Sequence, residues 1–345
     1  MWTGRFVSLI GLLIVFLLTM ICLSVLYGAM SIPVASLLQI AQDTVGAGQE
    51  GTAAPAGHRY VIVNLRLPRA VLAVLIGGSL SVAGAMMQGL FRNPLADPGL
   101  IGVSSGAALG ASMVIVLGFS LPHFEFLTLP IAAFVGGILA TVVVIRLSFS
   151  GSKAIVANML LAGIAINAIA GACTGLLVYI SDDEQLRSLT FWTMGSLGGA
   201  TWQMLPYVFV FAFLPALVGL PLAKSINALL LGESEALLLG VNVEWLKRMI
   251  IVFVCIMVGT SVSLTGMIGF VGLVVPHLCR LMFGPDNRKV ILGSLLLGGN
   301  ILLTADLISR TIVAPAELPI GIVTSIVGGP FFIYLLFRNR KTGLI

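Results

Sequence analysis

Residues 224–248 read KSINALLLGESEALLLGVNVEWLKR and interrupt a chain that is otherwise very apolar. Leu229, Leu230 and Leu231 precede Gly232, and Leu237, Leu238 and Leu239 precede Gly240. Between the glycines stand Glu233, Ser234, Glu235 and Ala236. Carboxylates are expensive inside a bilayer, so this stretch does not cross one. Glycine closes helices because it tolerates the left-handed cap conformation, and acidic residues suit a first helical turn. The pattern predicts one or two short amphipathic helices lying at a membrane surface. A connecting loop folded back on the bilayer and a docking surface for a cytoplasmic partner both fit it.

The rest of the chain narrows the choice. Of its 345 residues 59% are hydrophobic and 9% charged, whereas soluble domains carry roughly 25% charged residues. This is the composition of a polytopic membrane protein. Three histidines and no cysteine cluster argue against a metal enzyme. Cys22, Cys173, Cys255 and Cys279 lie in apolar segments and read as small buried residues, neither disulfides nor zinc ligands. No G-x-x-x-x-G-K-[ST] phosphate loop occurs, so the chain has no means of hydrolysing ATP itself. Nor is there an HExxH motif or a Ser/Lys arrangement suited to an intramembrane enzyme. Arg5 ahead of an apolar run resembles a signal peptide, but 8–30 is long enough to span and reads as a retained first helix.

A span needs about 20 mostly apolar residues. Ten segments meet or approach that: 8–30, 69–90, 99–118, 127–147, 154–180, 203–222, 246–266, 267–283, 289–311 and 319–337. They form a single transmembrane domain over 1–345, an all-α fold. With the N-terminus inside, thirteen lysines and arginines fall on the cytoplasmic side and five (Arg59, Arg66, Arg69, Arg187 and Arg310) outside. That asymmetry sets the orientation. It puts both termini and residues 224–248 in the cytoplasm, and the acidic run Asp182–Glu184 outside.

Several local patterns carry candidate roles. Gly163, Asn167, Gly171 and Gly175 recur at every fourth residue, amid alanines. Such a stripe lets another backbone approach closely, and is equally suited to line a wide path with Asn167 as its polar contact. Residues 88–99, QGLFRNPLADPG, form a sharp break whose prolines, Asn93 and Asp97 suit turns. His277 at an inner helix end reads as a carbonyl cap. Asp306 and Arg310 are one helical turn apart and read as an i,i+4 pair. Arg66 and Arg69 flank Pro68 at a helix mouth, where snorkelling anchors are the simplest reading. Leu67-Pro68 followed by Gly77-Gly78 is echoed by Leu318-Pro319 and Gly328-Gly329, a weak hint of an internal repeat.

Taken together, the strings RLPR (66–69), QGLFRNPLADPG (88–99), LLAG (160–163), FWTMGSLGG (191–199), LGESEALLLG (231–240), GMIGFVGLVVPHLCR (266–280), ADLISR (305–310) and ELPIGIVTSIVGGPFF (317–332) resemble one family. It is that of the permease subunits of type II ATP-binding-cassette importers, which serve iron-siderophores, heme and cobalamin. The resemblance covers about Leu65 to Phe337. It implies ten transmembrane helices per subunit and a two-fold homodimer with an axial translocation path, in the bacterial inner membrane. It implies two separate cytoplasmic ATPase subunits docked on Gly232, Glu233, Ser234, Glu235, Ala236 and Gly240, with ATP bound on those subunits. A periplasmic substrate-binding protein would present acidic residues to Arg66, Arg69 and Arg310. The path would run by Gly163, Asn167, Gly171 and Gly175, with an inner gate at Val156 and Ala157. No metal site, nucleic-acid partner or permanently bound cofactor is implied.

Alternating access driven by ATP is the implied mechanism. An ion-coupled secondary transporter is the rival of a different class, with Asp306 as its acidic candidate inside a span. Among cargoes, heme ranks ahead of ferric siderophores and cobalamin. The segment Tyr179–Arg187 running into FWTMGSLGG is closest to heme permeases, and a flat, largely apolar molecule suits a smooth path. Met86, Met87, Met159 and Met194 would add adaptable contact surface. His58 and His123 read as solvated loop residues.

Overall fold

The computed structural model describes residues 4–28, 30, 32–45, 55–122, 125–150, 153–154 and 156–341. His123 lies outside them. The described chain is helical apart from turns and one two-residue strand pair, Phe149–Ser150 with Lys153–Ala154. In chain order the helices are α1 (Gly4–Leu26), α2 (Val34–Val45), α3 (Ala56–Leu90), α4 (Val103–Leu117), α5 (Glu125–Ser148), α6 (Val156–Ile180) and α7 (Asp183–Met194). Then come α8 (Leu205–Leu230), α9 (Glu233–Leu238), α10 (Val243–Thr265), α11 (Val271–Phe283), α12 (Asn287–Ser309) and α13 (Ile320–Lys341).

Seven of these, α1, α3, α5, α6, α8, α10 and α12, are long and apolar enough to cross a membrane. The apolar helices α4, α11 and the Ile320–Tyr334 part of α13 are shorter. Each of the ten anticipated spans therefore contains a helix, but the boundaries move. The first runs 4–26, and the third and eighth begin at Val103 and Val271, about four residues late. The delay before α4 is a 3-10 turn, Pro98–Ile101, started by Asp97 accepting from the Gly99 amide at 2.7 Å.

Two helices were not legible as spans because they are not spans. One is α2. The other, α7, contains the acidic run, and its role is local. Asp182 accepts from the Gln185 amide while the Gln185 side chain accepts from the Asp182 amide, a reciprocal capping box.

The middle of the bundle is α3. It packs along α12 and also touches α10 and α11. The contact is close because small residues face each other. A β-carbon at Gly77 would collide with the Gly298 carbonyl, and one at Gly84 with that of Gly272. In a membrane, where burial of apolar surface between helices gains little, this backbone proximity is the main source of packing energy. A second layer, α4, α5 and α6, packs on the other side, with α10 bridging the two.

α3 also corrects the reading of its own start. Arg66 and Arg69 lie inside a continuous helix, not at a helix mouth, because a π-helical turn, Val61–Arg66, joins its two α-helical parts. Pro68 has no amide to give this helix, and the Val63 carbonyl in the π turn accepts from the Trp202 indole at 2.7 Å. Pro319, by contrast, precedes α13, so the repeated Leu-Pro does not mark equivalent positions. α8 is likewise interrupted, by a π turn at Phe209–Phe213 and a 3-10 turn at Leu220–Leu222, before it runs on to Leu230.

Candidate functional site

Three places hold the residues singled out by sequence. The first is the turn at one end of the bundle, where α8 gives way to α9 and α10. As anticipated, two short helical pieces, Ala223–Leu230 and Glu233–Leu238, flank Gly232. Gly232 has φ 127° and Gly240 has φ 81°, values that exclude most side chains. Gly240 ends α9 in a Schellman motif: the Val241 amide donates to the Ala236 carbonyl and the Gly240 amide to that of Leu237. This geometry turns Leu231, Leu237, Leu238 and Leu239 outward, all strongly exposed, beside exposed Ser234 and Glu235. Ala236 faces the other way and is fully buried against its own chain. It is thus a packing residue beneath the outward surface.

Lys247, one turn into α10, extends back under α9. Its ammonium donates to Glu233 at 2.8 Å and to Glu244 at 3.2 Å, and its side chain is almost completely enclosed. Nearby, the Asn227 side chain donates to Asp286 at 2.7 Å and accepts from the Asn287 amide at 2.9 Å, tying the end of α8 to the start of α12. Burial pushes the Asp286 carboxyl up, but hydrogen bonds from Asn227 and from the Arg288 amide and side chain outweigh it and hold it below the usual range.

The second place is a buried charge cluster at the opposite end of α12, around Asp306. The Arg69 Nε donates to Asp306 at 2.8 Å, and its terminal nitrogen contacts both Glu317 oxygens, at 3.0 and 2.8 Å. Arg310 approaches the other Asp306 oxygen at 3.4 Å, an ion pair without hydrogen-bond geometry, and donates to the Ser24 hydroxyl at 2.6 Å. The i,i+4 pair is therefore present and is extended by a third partner. Arg66 donates to the carbonyls of Val25, Leu26 and Met30, closing the end of α1. All three arginines are buried. Arg69 and Arg310 share Asp306, whereas Arg66 is held by carbonyls alone, so all three are enclosed by groups of their own chain, as a buried charge requires. Glu317, at the foot of α13, is the exposed member.

The third place is α6, where the four-residue stripe divides. A β-carbon on Gly163 would strike the Leu100 carbonyl, so this glycine serves packing against the 3-10 turn. Asn167 bonds to the Ser105 hydroxyl and to the Gly99 carbonyl. Gly171 and Gly175 instead face open space, and with Ala168 and Ala172 they form an uncovered strip of small residues. Val156 is half-buried and Ala157 exposed at the start of the helix.

Other expectations change. His277 lies inside α11, edge-on to Phe331 at 6.3 Å, and is not a terminal cap. Met86, Met87 and Met159 are enclosed in protein and line no surface. Cys22 and Cys173 are exposed, whereas Cys255 and Cys279 are buried. His58 sits in a helix and shares a hydrogen bond with Ser36 at 3.1 Å. Sequence reasoning passed over Glu317 and Lys247. The Glu244–Lys247 spacing of three residues was a usable signal; the Glu233–Lys247 contact was not.

A bundle of apolar helices packed through glycine, with a leucine-faced turn at one end and a buried charge cluster at the other, has the build of a polytopic membrane protein. The chain belongs to the FecCD transport family, which matches residues 14–338. It is 48% identical over 283 residues to the hemin transport system permease protein HmuU of Yersinia pestis, covering 82% of this chain and 84% of that protein. It is 39% identical over 287 residues to a cobalamin import system permease of Halobacterium salinarum, covering 83% of this chain and 76% of that one. The fold superposes on an inward-facing metal-chelate type ABC transporter with a TM-score of 0.82 at 30% identity, covering 96% of this chain and 99% of the other. The chain is thus an ABC transporter permease.

Proposed function

We propose that this permease carries heme inward, from periplasm to cytoplasm across the bacterial inner membrane, as one half of a homodimer powered by two cytoplasmic ATPase subunits. The observation that carries the cargo is the 48% identity to a hemin permease, against 39% to the cobalamin permease above. The exposed leucines of α9 supply a partner surface of the right kind. A contiguous exposed apolar patch of this kind marks a surface that a partner covers. The thirteen-to-five basic asymmetry supports a cytoplasmic position for that turn.

In this reading the uncovered small-residue strip of α6 and the exposed face of α13 line the axial path, with Val156 and Ala157 at its inner end. A periplasmic binding protein meets the opposite end at its exposed edge, marked by Glu317, on a platform that Arg66, Arg69 and Arg310 hold together. Asp306 is gripped by two arginines. That counts against the ion-coupled alternative, which needs a carboxylate free to bind and release a cation. Transport by proteoliposomes containing the permease, its ATPase and its binding protein tests the proposal. ATP-dependent accumulation of heme with cobalamin and ferric siderophore excluded supports it. Efficient uptake of either competitor without heme overturns the cargo, and uptake driven by an ion gradient without ATP overturns the class.

A further inference from the structure

We infer that Lys247 is the positioning residue that makes α9 and α10 move as one body, so that force applied at α9 reaches the bundle; the inference rests on the docking role of α9 proposed above. α9 is six residues long, too short to hold itself. Its chain connections turn at Gly232 and Gly240, both at positive φ, and local backbone bonds alone hold those turns. The brace is the Lys247 ammonium. It reaches Glu233 in the first turn of α9 and Glu244 in the first turn of α10 at once. Ala236, buried beneath the leucines, seats α9 on the same support.

From there the path continues by packing. α10 lies against α3, α4 and α5, the helices of both layers. A displacement of α9 that carries α10 with it therefore shifts the contact between layers. A displacement that only rotates α9 about Gly232 and Gly240 does not.

The lever can be cut without unfolding the protein. Glu233 and Glu244 are both partly exposed, so Lys247→Met leaves carboxylates that can rehydrate. Two measurements are made. In the first, the tagged chain is isolated with the ATPase subunits that co-purify, and hydrolysis is compared with uptake of the ligand that passes the liposome test. In the second, spin labels at Ser234→Cys on α9 and Val252→Cys on α10, with exposed Cys22 and Cys173 changed to serine, report their separation within one chain.

Lys247→Met is expected to keep the ATPase bound and hydrolysing while uptake per ATP falls roughly five- to tenfold, the range of a modest coupling free energy. The label separation, narrow in the parent, broadens, and Lys247→Arg restores both. An unchanged ratio of uptake to hydrolysis with a narrow separation overturns the inference. So does loss of ATPase binding as the sole defect, which assigns Lys247 to the shape of the docking surface. If Lys247→Met fails to fold, Lys247→Gln, which keeps a polar group but removes the cation, is scored by the same criteria. A parent chain that binds no ATPase through α9 defeats the docking reading instead, and the label separation still decides whether Lys247 locks the two helices.

Discussion

The two ends of the bundle use the same arrangement, one enclosed cation between two carboxylates, to different ends. Lys247 sits between Glu233 and Glu244, and Arg69 between Asp306 and Glu317. The cations are alike, with side chains 2% and 11% exposed. The carboxylates are not. Glu233 and Glu244 are 41% and 29% exposed, whereas Asp306 is at 0%. Water can replace Lys247 but cannot replace Arg69. The lesson is that the burial of the acid, not of the base, decides whether such a group is a permanent fastening or a working joint.

The largest effect should come from the fastening. Arg69→Met leaves Asp306 buried with Arg310 as its remaining partner at 3.4 Å. Breaking a buried pair from one side costs about 3–5 kcal/mol. Thermal unfolding in detergent should show that loss, and Asp306→Asn in the same background should recover much of it. If Arg69→Met is no more destabilising than Lys247→Met, the contrast between the ends collapses.

Next comes the surface above the joint. Leu238→Asp should reduce ATPase association by about 2 kcal/mol or more, the size of an interface anchor, with permease stability unchanged. Ala236→Trp distinguishes the two sides of α9. Its side chain points inward, so the cost, about 1–3 kcal/mol of overpacking, should appear in the permease's own unfolding even without partner. Unaltered stability of Ala236→Trp would show that α9 is not seated as described.

Smaller still is Glu317→Gln. The carboxylate is partly solvated, so its ion pair with Arg69 contributes about 0–1 kcal/mol, and only a slight change in melting is expected. Its effect should appear instead in the association rate of the binding protein and its salt dependence, read by surface-captured kinetics. An identical rate and salt slope would remove Glu317 from that face.

The weakest effect concerns pH at the joint. Asp286 is held below the usual carboxylate range when folded. Its contribution is therefore fully present above the unfolded value of about 3.9 and is lost as pH falls through the lower folded value. The parent should lose slightly more stability than Asp286→Asn on acidification below about pH 4. Parallel melting curves for the two over that range would discount the Asn227–Asp286 tie.

Much of this was readable in the chain itself, and the reason is locality. Apolar length marks a span whatever it packs against, so the ten segments could be placed in order. Gly232 and Gly240 announced the limits of α9 because helix termination is decided by a residue or two. Boundaries were misjudged where a turn borrows polar partners, as before Val103, or where a π turn carries a helix through a proline-flanked junction, as at Val61–Arg66. The stripe on α6 showed that small side chains would lie on one face. It did not show that Gly163 and Asn167 would be spent on residues 99–105 while Gly171 and Gly175 stayed uncovered.

What only the tertiary structure decided is which charges meet. The sequence by itself determined a polytopic helical membrane protein, its surface knuckle and the i,i+4 pair Asp306–Arg310, each set by neighbours within a turn or two. Arg69 and Asp306 are 237 residues apart, and Glu233 and Lys247 are 14 apart across the turn at Gly240. Their contacts depend on how far α3 can approach α12 and how sharply α9 turns back, distances fixed by glycine packing and backbone caps summed over the whole bundle. A charge pattern along a chain carries no record of those distances, so Arg66 and Arg69 read as snorkelling anchors at a helix mouth until the fold enclosed them.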